Sequence, residues 1–254
     1  MKFYVLFLWI AGVLLESLLL ERAWSGLWFK KYPVFFSYVL CVFLQDVFFL
    51  VVYLFRFGRY ETAYWYGEFF SILLGAGVTY EIFTLILGRY PGAGRMARHV
   101  LSVLVIIGLT KPLADALAGG WAWSMTSVEL ERNLRIVQAV SLLVLALLVG
   151  YYRIPMGRNA RGIFLGYGVF IANSVVTLSF RSFLGGTFQN AWLILQPFCY
   201  LLALVTWCAL LWTYDAMPVV ESQPRIEEDY RSLATATRKG MLQARTLWGK
   251  AMRP

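Results

Sequence analysis

Ionisable and amide side chains interrupt the long apolar stretches of this 254-residue chain, and they are the side chains best suited to chemistry. In a bilayer, a charged side chain costs about 2.5–3.5 kcal/mol on insertion scales and usually marks a functional site. The depth of each residue in its stretch predicts a polar cavity in the outer half of a helix bundle. The predicted cavity residues are Asp46, Glu68, Lys111, Asp115, Gln138, Asn173 and Gln196, and two acids predicted on an inner path are Glu16 and Glu81.

Lys111 is predicted to be the only basic side chain near the membrane midplane. Asp115 follows it by four residues, so the two side chains share one helix face. Lys111 would anchor an anionic ligand group or pair with Asp115 or Asp46. Pro112 and Pro197 each remove one helix hydrogen bond next to a polar residue. Interrupted helices of this kind are typical of binding sites in transporters.

A second interpretation gives the same residues a packing role only. Lys111 and Asp115 would then form a buried ion pair that fixes helix register. Glu68 and Glu81 would reach the interface or cap the backbone of a neighbouring helix. The sequence leaves both interpretations open.

The composition places these residues in a membrane protein. Apolar residues make up 60% of the chain and charged residues 15%, against about 45–50% and about 25% in soluble domains. A bilayer core about 30 Å thick needs about 20 apolar residues per helix, and the stretches lack the alternation of β-strands. An all-α fold is predicted, with a seven-helix transmembrane domain over 1–214 and a cytoplasmic tail over 215–254. The predicted spans are roughly 3–20, 33–55, 63–87, 99–118, 133–152, 162–181 and 191–213.

Basic residues predict the orientation of these spans. Most lysines and arginines fall on the side of the C-terminus, which predicts that the N-terminus is outside and the C-terminus inside. Arg132 and Arg135 are counted with the few basic residues of the outer side. Because the net charge of +9 is mainly a topology signal, no nucleic acid partner is expected.

Three predicted inner boundaries share a basic residue, one spacer and a proline. They are Lys31-Tyr32-Pro33, Arg89-Tyr90-Pro91 and Arg153-Ile154-Pro155. Proline is well tolerated in the first turn of a helix, so the pattern predicts a helix boundary at each site. The alternative is an ancient repeat of helical hairpins.

The tail contains a predicted amphipathic helix. Ser222 and Pro224 can start it, and the acids that follow suit the positive end of a helix dipole. A basic amphipathic helix lies on an anionic membrane surface, or it docks a cytoplasmic or membrane protein partner. The tail is too short for an enzymatic domain.

The sequence offers no signature of an enzyme, metal or cofactor. His99 is the only histidine, which excludes paired-histidine haem sites and multi-histidine zinc sites. The nucleophile-elbow and phosphate-binding-loop motifs do not occur. No cofactor is therefore expected.

Part of the chain resembles an uncharacterised family of bacterial seven-helix integral membrane proteins. The resemblance covers roughly residues 32–98 and implies an inner (plasma) membrane location without a known activity. The residues that carry it are Tyr32-Pro33-Val34-Phe35-Phe36-Ser37-Tyr38 with Gln45-Asp46, Tyr64-Trp65-Tyr66-Gly67-Glu68 running to Tyr80-Glu81-Ile82-Phe83, and Arg89-Tyr90-Pro91.

Three functions are compatible with these features. The first is a sensor that binds a small polar or amphipathic ligand in the outer cavity and signals through its tail. The second is a small-solute or proton-coupled transporter that uses the same acids as protonation sites. The third is a structural subunit of a membrane complex.

Overall fold

The protein was analysed as a computed structural model, which describes residues 3–26, 28–55, 60–119, 123–180, 185–215 and 224–251. Side chains are described in these ranges except at 3–5, 53–66, 111–113, 115–129, 178–194, 224 and 244–251. Every regular element in the described ranges is a helix, which confirms the predicted all-α class. The helices are α1 (Phe3–Ser25), α2 (Trp28–Lys31), α3 (Pro33–Phe55), α4 (Tyr60–Leu87), α5 (Pro91–Gly119), α6 (Trp123–Tyr152), α7 (Arg158–Phe180), α8 (Gly185–Leu211) and α9 (Pro224–Ala251).

Among the described residues, five helices are long and apolar enough to cross a membrane. A shorter apolar helix covers Leu195–Leu211. The first predicted span is helical in α1, but that helix also carries Glu16, Glu21 and Arg22. The five candidate spans are Pro33–Val52, Gly67–Leu87, Pro91–Thr110, Leu130–Tyr152 and Arg158–Thr177.

Six long helices form a closed ring. Around the ring, α1 packs against α3, α3 against α4, α4 against α6, α6 against α7, α7 against α8, and α8 against α1. Helix α5 lies outside the ring and packs against α4 and α6. Any side chain that points to the centre of the ring is therefore enclosed by several helices.

Aromatic side chains and glycines form close contacts between helices of the ring. The Trp207 ring meets the Phe35 ring at 5.0 Å between centroids. A Cβ at Gly162 would lie 2.6 Å from Leu210 Cβ, and one at Gly166 would collide with the indole of Trp207. These two glycines bring α7 against α8, because small residues four positions apart let two helices approach closely, whereas Gly168 faces open space.

The basic end is the end of the bundle at which α3, α5 and α7 begin, and it carries Lys31, Arg89 and Arg153. Helices α3 and α5 start at Pro33 and Pro91, as the shared proline pattern predicts. The third helix, α7, starts at Arg158, three residues after Pro155. The Schellman turn at the end of α6 comes before that proline, and Met156 and Gly157 separate the proline from the helix.

Each of these three helix starts receives a carboxylate from another element. Glu81 of α4 accepts hydrogen bonds from the backbone N–H groups of Val34 (3.2 Å) and Phe35 (2.7 Å) in α3. Glu227 of α9 accepts from Gly92 N at 2.9 Å, at the start of α5. The third carboxylate, Asp215, accepts from Arg158 N at 3.4 Å. Negative charge stabilises the positive end of a helix dipole, so the basic end is built on these contacts.

Candidate ligand-binding site

A buried arginine lies inside the ring of helices. Arg135 belongs to the candidate span Leu130–Tyr152 of α6, and it is only 5% exposed. Its guanidinium carbon lies 4.8 Å from the centroid of the Phe170 ring on α7. The sequence placed Arg135 among the basic residues of the outer side, but the structure buries its side chain inside the bundle. Arg135 is no loop residue, because α6 begins at Trp123 and the arginine points from that helix into the bundle.

The surroundings of Arg135 come from four helices of the ring. Its guanidinium interacts electrostatically with Tyr38 of α3, Glu68 of α4 and Tyr167 of α7. On its own helix, Glu131 Oε1 lies 3.7 Å from Arg135 Nε, which is an ion pair longer than a hydrogen bond. The predicted cavity residue Glu68 thus belongs to this group.

Polar atoms in this group lack hydrogen-bond partners in the described part of the chain. They are Nε and Nη1 of Arg135 and both amide atoms, Nε2 and Oε1, of Gln138. Gln138 is 1% exposed and follows Arg135 by three residues, so the two share a helix face. A buried polar group without a partner costs about 1–3 kcal/mol. The four atoms therefore leave donors and one acceptor unused among the described residues.

Gly75 of α4 lies beside the Gln138 side chain. A Cβ at Gly75 would lie 2.7 Å from the Tyr167 hydroxyl and 3.4 Å from Gln138 Nε2. The Tyr167 hydroxyl already donates to the Gly75 carbonyl at 2.7 Å. Because glycine has no side chain, the tyrosine and the amide approach the backbone of α4 closely at this position.

A second polar group lies inside the ring, between α1, α3 and α8. Glu16 is fully buried, and its Oε1 accepts a hydrogen bond from the Tyr200 hydroxyl. Glu16 Oε2 has no hydrogen-bond partner among the described residues. Asp46 accepts a hydrogen bond from Trp9 and repels Glu16 electrostatically. The two acids predicted for different depths of the membrane are therefore neighbours.

The two polar groups are adjacent. Tyr38 lies near both Arg135 and Glu16, and Tyr200 lies near both Glu16 and Tyr38. We call the whole set the interior cluster. Its members are Glu16, Tyr38, Asp46, Glu68, Glu131, Arg135, Gln138, Tyr167 and Tyr200.

Glu81 lies apart from the interior cluster. It caps the start of α3, and so it follows the packing interpretation of the sequence. Gln45, next to Asp46, also has a packing role: its amide donates to the Gly67 carbonyl, and Ser71 Oγ donates to its Oε1 at 2.9 Å. These contacts join α3 to α4.

The remaining predicted cavity residues are placed differently. Gln196 is exposed, although Ala203 is buried one heptad further along the same face of α8. Neighbouring helices cover that face more completely at Ala203 than at Gln196, and a place for Gln196 in a cavity stays a prediction. Asn173 is half-buried. Lys111 and Asp115 lie in α5, but their side chains are outside the described residues, and their role stays a prediction.

Sequence reasoning missed Arg135 because the residue was counted as a loop charge. A usable signal was present, since Glu131, Arg135 and Gln138 fall on one face at the helical spacing of four and three residues. Tyr38 and Tyr167 gave no such signal, because aromatic residues are frequent throughout this chain. Their rings meet at right angles, 5.9 Å apart, only because α3 and α7 face each other.

No family model, curated protein or solved structure matches the chain. Its fold and site are therefore interpreted from its own geometry.

Proposed function

We propose that this protein is a multi-pass membrane sensor that binds a small polar or amphipathic molecule at Arg135 and Gln138 and relays binding through its tail. The observation that carries the proposal is that four buried side-chain atoms lie together without a hydrogen-bond partner among the described residues. A guanidinium inside a membrane is costly and usually marks function. A ligand that pairs these atoms would recover that cost.

The membrane arrangement proposed with it has seven spans, α1 and α3 to α8, with the N-terminus outside and the C-terminus inside. The basic end then faces the cytoplasm, in line with the positive-inside rule. Arg135 lies 17 residues from Tyr152, which corresponds to about 25 Å along α6. The Arg135 site is thereby in the outer half of the membrane. The family resemblance supports a bacterial inner membrane as the location.

The unpaired atoms define the chemistry of the ligand. Arginine only donates hydrogen bonds, whereas the glutamine amide both donates and accepts. A complementary molecule carries acceptor oxygens, such as a carboxylate or carbonyl, and at least one hydroxyl or amine donor. Phe170 and the tyrosines add an apolar surface for a short hydrocarbon part.

The proposed output element is α9. Its first turns dock on the basic end, where Ile226 is buried. The segment 231–243 is exposed throughout, including Leu233 (63%), Met241 (66%) and Leu242 (56%). These apolar side chains leave a surface for the membrane or for a protein partner.

A thermal-stability screen of the purified protein in detergent tests the proposal. Small carboxylates with hydroxyl or amine groups are the first compounds, because a ligand that binds the folded state raises its stability by mass action. We expect a rise that Arg135→Gln abolishes and that Arg132→Gln, on the exposed side of the same helix, retains. Loss in both variants, or no rise with any compound, would contradict an interior site.

The pair of acids favours proton-coupled transport as a second candidate function. Glu16 and Asp46 interact without a described cationic partner, an arrangement suited to taking up and releasing a proton. Uptake of the ligand into liposomes under an imposed proton gradient tests it. We expect Glu16→Gln to abolish gradient-driven uptake and Glu21→Gln, an exposed acid on the same helix, to retain it. Ligand binding without any uptake would leave the sensor function alone.

A further inference from the structure

A groove of about 400 Å³ opens at the basic end, far from the interior cluster. It lies between the end of α6 and the start of α9 and is lined by Tyr151, Tyr152, Arg153 and Arg225. The two tyrosine rings meet at right angles with centroids 4.8 Å apart. The guanidinium carbon of Arg225 lies 5.7 Å from the centroid of the Tyr151 ring. Two guanidinium groups and two aromatic rings thus share one small space.

Arg153 adopts a backbone conformation that is unusual for a residue with a side chain. Its φ angle is 48°, in the left-handed region that glycine adopts without steric cost. The residue sits at the end of α6 in a Schellman turn, in which Arg153 N donates to Gly150 O (3.4 Å) and Ile154 N donates to Val149 O (3.0 Å). Glycine is the usual residue at this position. An arginine that tolerates this conformation indicates that its side chain has a use.

Helix α9 is held so that Arg225 faces this turn. Glu227 accepts a hydrogen bond from the backbone at the start of α5, and Ile226, between Arg225 and Glu227 in the chain, is buried. The Tyr152 hydroxyl donates to Asp229 Oδ2 at 2.9 Å, which joins the groove wall to α9. Asp229 is the acid that opposes an anion here, and the two arginines outnumber it.

We propose that this groove binds a phosphate group through Arg153 and Arg225. Guanidinium groups match the oxygens of phosphate in charge and geometry, and both arginines are exposed, so a ligand can reach them. The phosphate belongs either to a lipid headgroup or to a soluble phosphorylated compound. The site is separate from the proposed interior site and does not depend on it.

The test uses the full-length protein in bilayer nanodiscs and two probes. The first is inorganic phosphate, titrated against protein in phosphatidylcholine discs. The second is phosphatidic acid, mixed into the phosphatidylcholine and counted on the protein by native mass spectrometry. We expect Arg153→Gly and Arg225→Gln each to weaken binding of the effective probe by about tenfold. Binding of phosphate alone identifies a soluble ligand, and binding of phosphatidic acid alone identifies a headgroup.

Arg153→Gly makes the test sharp because it should not harm the fold. Glycine relieves the left-handed backbone, so the unfolding temperature is expected to stay equal or rise while binding falls. Arg161→Gln, another exposed arginine near the start of α7, is the control and should bind like the wild type. Equal loss in this control would overturn the proposal in favour of diffuse attraction, and so would failure of both probes to bind the wild type.

Discussion

At the basic end, the starts of three helices meet carboxylates that other elements supply. Inside the ring, Arg135 and Gln138 leave four side-chain atoms without a described partner. Both regions contain buried polar groups. The three carboxylates of the basic end accept hydrogen bonds from backbone N–H groups, whereas the interior pairs only some of its polar atoms. The same protein that caps α3 with Glu81 leaves Arg135 only partly paired, about five helical turns before the end of α6. Polar groups that serve folding are paired by the fold, and the unpaired atoms of the interior are the basis of the proposed ligand site.

The largest expected loss of stability is at Glu81, which accepts two hydrogen bonds at the basic end. Glu81→Ala removes two charged hydrogen bonds to the start of α3, and we expect a loss of about 3 kcal/mol in the free energy of unfolding. Glu81→Gln keeps an acceptor oxygen and should lose less. Unfolding of the purified variants in detergent measures both. If Glu81→Ala left the free energy of unfolding unchanged, the comparison would fail, because the cap would then contribute nothing to the fold.

The corresponding contact of α9 should matter less. Glu227 is half-buried and accepts from Gly92 (2.9 Å) and Ala93 (3.4 Å), so Glu227→Ala is expected to cost about 1 kcal/mol. The visible result should be release of the tail rather than unfolding of the bundle. Limited proteolysis would then cut α9 faster in the variant than in Glu228→Ala, a neighbouring exposed acid. Equal cleavage of the two variants would argue against docking by Glu227.

Removing an unpaired polar group from the interior should stabilise the fold, in contrast to removing a capping carboxylate at the basic end. Gln138→Leu replaces two unpaired polar atoms with an apolar group of similar size, and the ligand-free protein is expected to gain about 1 kcal/mol. The same variant should lose the stabilisation by ligand that is expected of the wild type. Thermal unfolding with and without ligand measures both effects. A destabilised Gln138→Leu would place this amide among the contacts that the fold needs.

The smallest effect is a dependence on alkaline pH at the basic end. Burial, with nearby Tyr214, Glu81 and Asp215, raises the pKa of Tyr32 from 10.0 to about 12. A group whose pKa is higher in the folded state contributes stability at lower pH and loses it as pH rises through that value. Stability should therefore decline between pH 10 and about 12. Tyr32→Phe should show a shallower decline in the same pH titration.

Several features of the fold follow from the sequence because they depend on local properties. The apolar stretches set the helices, and Pro33 and Pro91 set the starts of α3 and α5. Gly162 and Gly166 have the four-residue spacing of a close helix contact, and both lie between α7 and α8. The prediction of a capping role for Glu81 was also accessible, although its target helix was not.

The membership of the interior cluster could not be predicted in the same way. The sequence determined that Glu16, Asp46, Glu68 and Gln138 lie in helices, since composition and hydrophobic length are properties of one segment. Only the tertiary structure decided that Arg135 points inward and Gln196 outward. Helical periodicity relates the faces within one helix, but burial of a face depends on which other helices pack against it. That packing brings together residues distant in the chain, so it depends on the contacts among all six helices of the ring.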